Sequence, residues 1–448
     1  MERMKGLYRR LNLSEHALFM MSFVFLMLAR YFVPTTSYFL ITVVMLPWSM
    51  GLAHTAFRNR RIDRTTPNLL LLSSVVIFTA LTLIQTENNF SNYIVLWYLI
   101  AYATAVMHPP VPMDTGRLHA ELHGIGLIFL LSLTPLSLLA LKFIFTGDAP
   151  SLLGVQVGPV PGRPDLHRLG LFSYPNITAV VLNCAILFGL YLFIRHRQRA
   201  IRALLVAAIA ILLLALIHTQ SRVGIVALSV ALGAVVFRWA YLKRAGQRWR
   251  IAVALLLWAA ISVGMSYFLS LMVDVTMRAV IFLTNNEFLI ENYLNRFSSE
   301  NLFDVGSTGR KDIWLGTLCY LRDHLRYLAV GMGPVDVTEI IGEFYPRVGE
   351  VVNLHNSLLE SLVRGGLPHF TCTLGFLAFL IRPALKLLTA PSTEETRGLF
   401  LIPLLVGMLF IMGMAESILF CEARLSNLLF FYGCGLLLHY GNDCPCSR

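Results

Sequence analysis

Apolar runs of about 20 residues recur along the whole chain, and nothing else in the sequence restricts the fold so tightly. Coiled as an α-helix, a run of that length crosses the ~30 Å hydrocarbon core of a bilayer. Lipid offers no partners for backbone N–H and C=O groups, so such runs must be helices. Spans are expected at 15–34, 38–57, 67–85, 91–107, 122–145, 174–194, 203–219, 223–241, 251–273, 367–385, 398–416 and 424–440. A 448-residue chain that is 56% hydrophobic and only 14% charged excludes an ordinary soluble protein. The expected fold is all-α: a polytopic integral membrane protein with about 12 transmembrane helices. The first run is followed at once by others and shows no small-residue cleavage site. It reads as a retained span rather than a signal peptide.

The formal net charge of +11 invites a nucleic-acid reading, but the charges are distributed by topology. Short basic clusters lie between alternate spans: Arg3/Lys5/Arg9/Arg10, Arg58/Arg60/Arg61/Arg64, Arg195/Arg197/Arg199/Arg202 and Lys243/Arg244/Arg248/Arg250. Arg117 and the group Arg382/Lys386/Arg397 are weaker members. All fall on one side if both termini are cytoplasmic, as the positive-inside rule requires. The basic balance therefore marks orientation, and no nucleic acid is expected as a partner.

This topology divides the chain into helices 1–9 over residues 1–273, an external loop at 274–366 between spans 9 and 10, and spans 10–12 with a cytoplasmic tail over 367–448. A smaller external loop, rich in Gly and Pro, runs over about 147–174. The larger loop is expected to fold as helices. Ser307 or Thr308 is placed to cap a helix carrying Ile313, Trp314, Leu315, Leu318 and Leu321. Gly331-Met-Gly333-Pro334 breaks that pattern, and 335–344 suggests a further turn or two. At 353–366, His355-Asn356-Ser357 opens a helical pattern bearing Leu358, Leu359, Leu362 and Val363, and Gly365 and Gly366 close it. His355 therefore stands at or just before a helix N-terminus, with Arg364 in the last turn.

Some cationic residues lie opposite the positive-inside clusters. Arg222, in Gln220-Ser221-Arg222-Val-Gly224, stands where an external turn enters a span, and an arginine deeper in the membrane usually faces a cavity or partner. Its plain alternative is snorkelling to lipid headgroups. Arg310, in Ser307-Thr-Gly309-Arg310-Lys-Asp312, lies near the start of the predicted loop helix, where a solvated charge is the plain alternative. Arg163 and Arg168 decorate the smaller loop. The seven cysteines are scattered, and the lone Cys444-Pro-Cys446 lacks the second ligand pair of a zinc site. Neither a dinucleotide fingerprint, a P-loop nor paired metal carboxylates are present, so no metal or cofactor is expected.

In chain order, the Ser221-Arg222-x-Gly224 turn, Gly309-Arg310 before a Trp314-bearing helix, Gly331-x-Gly333 and His355-Asn356-Ser357-Leu-Leu-Glu360-x-Leu-x-x-x-Gly366 resemble the O-antigen ligase family. That fold also includes O-antigen polymerases and some O-linked protein oligosaccharyltransferases. The resemblance covers about residues 168 to 440 in motif order. It implies glycosyl transfer on the periplasmic face of a bacterial inner membrane. The implied donor is a glycan on undecaprenyl diphosphate and the acceptor the lipid A–core oligosaccharide of lipopolysaccharide. Arg168, Tyr174 and Asn176 resemble a further patch of the family, and Arg168, Asn176 and Asn356 are expected as substrate contacts.

The residue chemistry fits that implication. A diphosphate leaving group needs positive charge where its own charge builds up, and planar guanidinium forks suit phosphate oxygens. Arg222 is expected at the lipid-proximal phosphate and Arg310 at the diphosphate from the loop side. A sugar hydroxyl attacking an anomeric carbon needs a base, and His355 is the expected one. A helix N-terminus and nearby arginines both disfavour a charged imidazole, which would keep His355 able to accept a proton. Asn353 or Asn356 is expected to orient its ring. Direct displacement predicts inversion at the anomeric carbon without a metal.

Three other readings stay open. An O-antigen polymerase uses a similar donor but a second lipid-linked repeat as acceptor; one dominant external loop favours the ligase. A secondary transporter predicts ionisable residues near span centres, whereas here the expected span interiors are almost free of them. A membrane scaffold gives no reason for cations to collect opposite the positive-inside clusters.

Overall fold

The computed structural model describes residues 15–30, 38–58, 66–84, 89–106, 115–146, 149–152, 155–158, 168–171, 174–244, 249–284, 310–333, 354–391, 393–394, 396–420 and 424–443. Their helices are α1 (Glu15–Ala29), α2 (Tyr38–Arg58), α3 (Thr66–Ile84), α4 (Asn89–Val106), α5 (Thr115–Thr146), α6 (Pro175–Arg195), α7 (Arg199–Thr219), α8 (Arg222–Lys243) and α9 (Arg250–Thr284). Then come α10 (Arg310–Asp323), α11 (Leu325–Val330), α12 (Ser357–Thr389), α13 (Leu401–Gly413) and α14 (Leu425–Asp443). Seven are long and apolar enough to cross a membrane, and five shorter apolar helices occupy the other expected span positions. The architecture is that of a multi-pass membrane protein.

Burial sorts these helices by role. Helix α6 is buried on every side, from Pro175 through Leu192. It is the post around which α5, α7, α8 and α13 stand. Helix α9 is its opposite, paired chiefly with α8 and exposing Leu256, Val263 and Tyr267 at 69–71%. Large exposed apolar side chains along a long helix are what a lipid-facing element must present.

Several boundaries differ from those expected. Helix α9 continues past 273 to Thr284, because Val275, Met277, Val280, Ile281 and Phe282 extend its apolar pattern and Arg278 pairs with Asp274 one turn back at 2.8 Å. Helix α5 begins at Thr115, which carries Glu121 into the bundle. There its carboxylate accepts from the Tyr432 hydroxyl at 2.8 Å and faces His16 Nδ1 at 3.1 Å. The expectation of span interiors nearly free of ionisable groups has an exception here. The smaller loop holds a two-stranded antiparallel hairpin, β1 (Ser151–Leu152) with β2 (Val155–Gln156), where no strand was expected. The expected cap at Ser307 or Thr308 and the turn at 335–344 lie outside the described residues.

The glycines at 365 and 366 do interrupt the helix. Helix α12 kinks at Gly366, where φ is 65° and ψ −175°, a conformation open essentially only to glycine. Carbonyls freed by the break are met from the 331–333 turn: Met332 N–H donates to the Val363 carbonyl at 2.8 Å and Gly333 N–H to that of Arg364 at 2.9 Å. A Cβ on Gly331 would lie 2.5 Å from the Arg364 carbonyl oxygen, so only glycine permits this backbone contact. Helices α10 and α11 are thereby fastened to the first half of α12. Ile313, Leu321, Met332, Leu354 and Val363 form a small core of their own between them.

At one end of the bundle, Arg195 donates to the Glu394 carbonyl at 2.8 Å, Arg197 pairs with the Glu394 carboxylate, and Arg238 donates to the Leu388 carbonyl at 2.5 Å. The starts of α6, α8 and α12 and the turn after α13 meet at the other end, and the candidate site lies there.

Candidate functional site

The Ser-Arg-x-Gly turn is explained by helix packing. At Gly224 a Cβ would stand 2.6 Å from that of Ala179, so α8 touches α6 nearly backbone to backbone. Asn183 of α6 locks the approach by donating to the Gly224 carbonyl at 2.9 Å. Ser221 caps α8, its Oγ accepting from Gly224 N–H at 3.2 Å, while the same hydroxyl donates to Asn176 Oδ1 at 2.8 Å.

Asn176 passes that link to a residue the sequence reading overlooked. Its Nδ2 donates to Glu416 Oε1 at 2.5 Å, and Arg310 Nη2 donates to the same oxygen at 2.5 Å. His355 Nδ1 lies 3.0 Å from Glu416 Oε2. One carboxylate thus joins the start of α6, the start of α10 and the residue before the α12 cap. The Glu416 side chain is 9% exposed, against 18% for Arg310 and 33% for His355. The carboxylate is sealed in, and the imidazole faces outward.

Glu416 is held in turn by α12. Ser357 Oγ donates to the Glu416 carbonyl at 2.9 Å and accepts from Ile418 N–H at 3.0 Å and Leu419 N–H at 3.2 Å. The turn after α13 is wrapped around one hydroxyl. Asn356 caps α12, its Oδ1 accepting from Leu358 N–H and Leu359 N–H at 3.0 Å each. On the other side, Trp314 Nε1 donates to the Leu354 carbonyl at 2.9 Å, so α10 grips the backbone next to His355. Among the described residues only Gln220 and His355 are non-glycine residues with positive φ, 54° and 49°. One immediately precedes Ser221 and the other bears the imidazole. Such backbone costs of order 1–3 kcal/mol and persists where surrounding contacts dictate it, commonly at functional sites.

A carboxylate only accepts, so Nδ1 of His355 carries a proton and Nε2 of the neutral ring keeps its lone pair. Among the described residues the ring is oriented by Glu416. Asn353 lies outside the described residues, and the Asn356 oxygen is committed to the helix cap. The charge in contact with the imidazole is a carboxylate where arginines were expected. Arg310 binds Glu416 through one nitrogen, and its other guanidinium nitrogens make no hydrogen bond among the described residues.

Four of the expected residues therefore enter one assembly: Asn176, Arg310 and His355 through Glu416, and Asn356 as the cap beside it. Arg222, half-buried, occupies the first position of α8 directly after Ser221. Arg168 donates from Nε and Nη2 to the Thr219 carbonyl at 3.3 and 3.2 Å, closing the end of α7 ahead of the Ser221 turn. Glu360 pairs with Arg364 at 2.8 Å within its own helix. Glu416 had a signal in the sequence. It is a lone acidic residue at the end of an apolar run, with no basic residue one helical turn away, and such a group asks for a distant partner.

Comparison with known families identifies part of this assembly. Residues 207–374 match the family model described as O-antigen ligase. That stretch contains Arg222, Arg310, His355 and Asn356; Asn176 and Glu416 lie outside it. Among curated proteins, none matches the chain.

Proposed function

From an O-antigen ligase domain at residues 207–374, we propose that the protein transfers a glycan from undecaprenyl diphosphate to the lipid A–core oligosaccharide, on the periplasmic side of a bacterial inner membrane. One observation carries the reading: the Glu416 carboxylate gathers an imidazole and a guanidinium from separate chain segments into one place. His355 Nε2 accepts the proton of the attacking sugar hydroxyl, and the imidazolium that forms faces Glu416, which stabilises it as the carboxylate of a Ser-His-Asp triad does. The hydroxyl oxygen forms a bond to the anomeric carbon as the carbon–oxygen bond to the diphosphate breaks. Undecaprenyl diphosphate leaves with the bonding pair.

Arg310 and Arg222 receive the charge that develops on the departing phosphates, a role suited to guanidinium forks fixed beforehand. Because attack and departure occur on opposite faces of the anomeric carbon, the product has inverted configuration. No metal is required where arginines supply the positive charge. Arg168, Asn176 and Asn356 support the substrates from the rim, Asn176 and Asn356 by holding the turns that frame them.

The test supplies purified, membrane-reconstituted protein with an undecaprenyl-diphosphate-linked glycan and offers lipid A–core or a second lipid-linked repeat as acceptor. Consumption of lipid A–core supports the ligase, and elongation of the lipid-linked repeat would replace it with a polymerase. His355→Ala should abolish either transfer, and wild-type turnover in a folded His355→Ala protein would remove the base from the mechanism.

A further inference from the structure

Behind the site lies a buried polar chain to which the reaction assigns no part. His369 is fully buried in the first turn beyond the Gly366 kink, and its ring folds back across the break. Nδ1 lies 2.8 Å from Ser361 Oγ and 3.2 Å from the Ser361 carbonyl oxygen, on the other half of α12. A carbonyl only accepts, so Nδ1 carries the proton and the ring donates across the kink. Nε2 has no hydrogen-bond partner among the described residues, and the rings of Phe78 and Tyr98 pack nearby, their centroids 5.5 and 6.1 Å from that of His369.

Gly365 makes room for this fold-back. A Cβ there would lie 2.4 Å from His369 Cγ. From Ser361 the chain continues to Thr373 at 3.5 Å, to Ser74 of α3 at 3.2 Å and to the Tyr98 hydroxyl of α4 at 3.1 Å. Both halves of α12 are thus bound to each other and to two neighbouring helices. The half before the kink carries at its start His355, Asn356 and Ser357, which set the imidazole against Glu416.

We propose that His369 is a positioning residue for glycosyl transfer: its bond to Ser361 across the Gly366 break sets the placement of His355 against Glu416. The proposal rests on His355 as the base. It predicts a loss chiefly in turnover, because His355 at the start of α12 is the reacting base, whereas Arg222 stands on α8, outside α12. Misplacing a reacting group by about 1 Å costs on the order of 10²-fold in rate.

The experiment compares the full-length protein with His369→Phe, which keeps a ring between Phe78 and Tyr98 but removes the donor. His369→Asn returns a donor near the Nδ1 position. Transfer from the undecaprenyl-diphosphate-linked glycan to lipid A–core is measured for kcat and donor KM. The expected result is a kcat lowered by about 10²-fold in His369→Phe with donor KM unchanged, and most of the kcat restored in His369→Asn. Ser361→Ala removes the hydroxyl partner but leaves the Ser361 carbonyl, and should reproduce part of the loss if the phenylalanine variant does not fold. Combined with Glu416→Gln, the losses should fall well short of multiplying, because both act through one imidazole.

A kcat in the folded variants within about twofold of wild type overturns the proposal. So does a loss that His369→Asn fails to restore, or one that multiplies fully with that of Glu416→Gln. An active His355→Ala would instead refute the base itself, whereas an inactive His355→Ala beside a fully active His369→Phe refutes only this inference.

Discussion

Glu416→Gln is the sharpest perturbation the site offers, because it changes almost no volume and removes only charge and acceptor capacity. In the native protein Oε1 accepts from Asn176 and Arg310, and Oε2 faces His355 Nδ1. A glutamine must keep its carbonyl oxygen toward the two donors on the first side, which turns its amide nitrogen toward the imidazole. A donor facing Nδ1 selects the tautomer with the proton on Nε2, and Nε2 can then no longer accept the substrate proton. The same carboxylate-to-amide change beside a catalytic histidine lowers kcat by about 10⁴ in the Ser-His-Asp triad. A fall of about 10³–10⁴ in kcat is expected here on that analogy. Stability should drop by roughly 1.5–3 kcal/mol as one hydrogen bond to a charged group is lost. Ser357 binds the Glu416 backbone, so the turn itself should survive. Glycan transfer in reconstituted membranes gives kcat, and thermal melting in detergent reports folding. Wild-type kcat in a folded Glu416→Gln protein would refute the claim that the carboxylate sets the tautomer.

Other changes probe the scaffold. Gly366→Ala forces a methyl group into backbone at φ 65° with Gly331 N only 2.6 Å away, and should destabilise the protein by about 1–3 kcal/mol or more, read as a lowered melting temperature. Gly224→Ala should push α8 from α6 by way of Ala179 and loosen the Ser221–Asn176 bond; the expected outcome is reduced transfer at near-normal yield of inserted protein, measured by the same assay after purification. Treatment with EDTA should leave turnover unchanged if guanidinium groups supply the positive charge, and a loss restored by a divalent cation would contradict that.

The site was partly legible because some of its residues announce themselves locally. Ser221 and Gly224 sit in a turn whose cap and close approach are short-range demands, and His355-Asn356-Ser357 begins a helix with a cap that hydrogen-bonding rules anticipate. The Gly365 and Gly366 pair signalled the break in α12 for the same reason, since only glycine takes that backbone conformation. Glu416 was missed because its partners lie far away in sequence: 61 residues from His355, 106 from Arg310 and 240 from Asn176. Asn356, one of the two asparagines expected to orient the ring, gives its side-chain oxygen to the cap of its own helix, where the nearest free donors lie.

By itself the sequence determined that the chain is a bundle of apolar helices, where those helices lie, and which cations stand apart from the positive-inside clusters. Hydrophobic length and charge asymmetry are properties of short windows, and a bilayer imposes them on each window separately. Only the tertiary structure decided that Asn176, Arg310 and His355 share the oxygens of one carboxylate, and that the kink in α12 is bridged by His369. Which helix ends meet depends on packing across the whole bundle, where the close approach at Gly224 and the turn wrapped around Ser357 fix distances that no local pattern encodes.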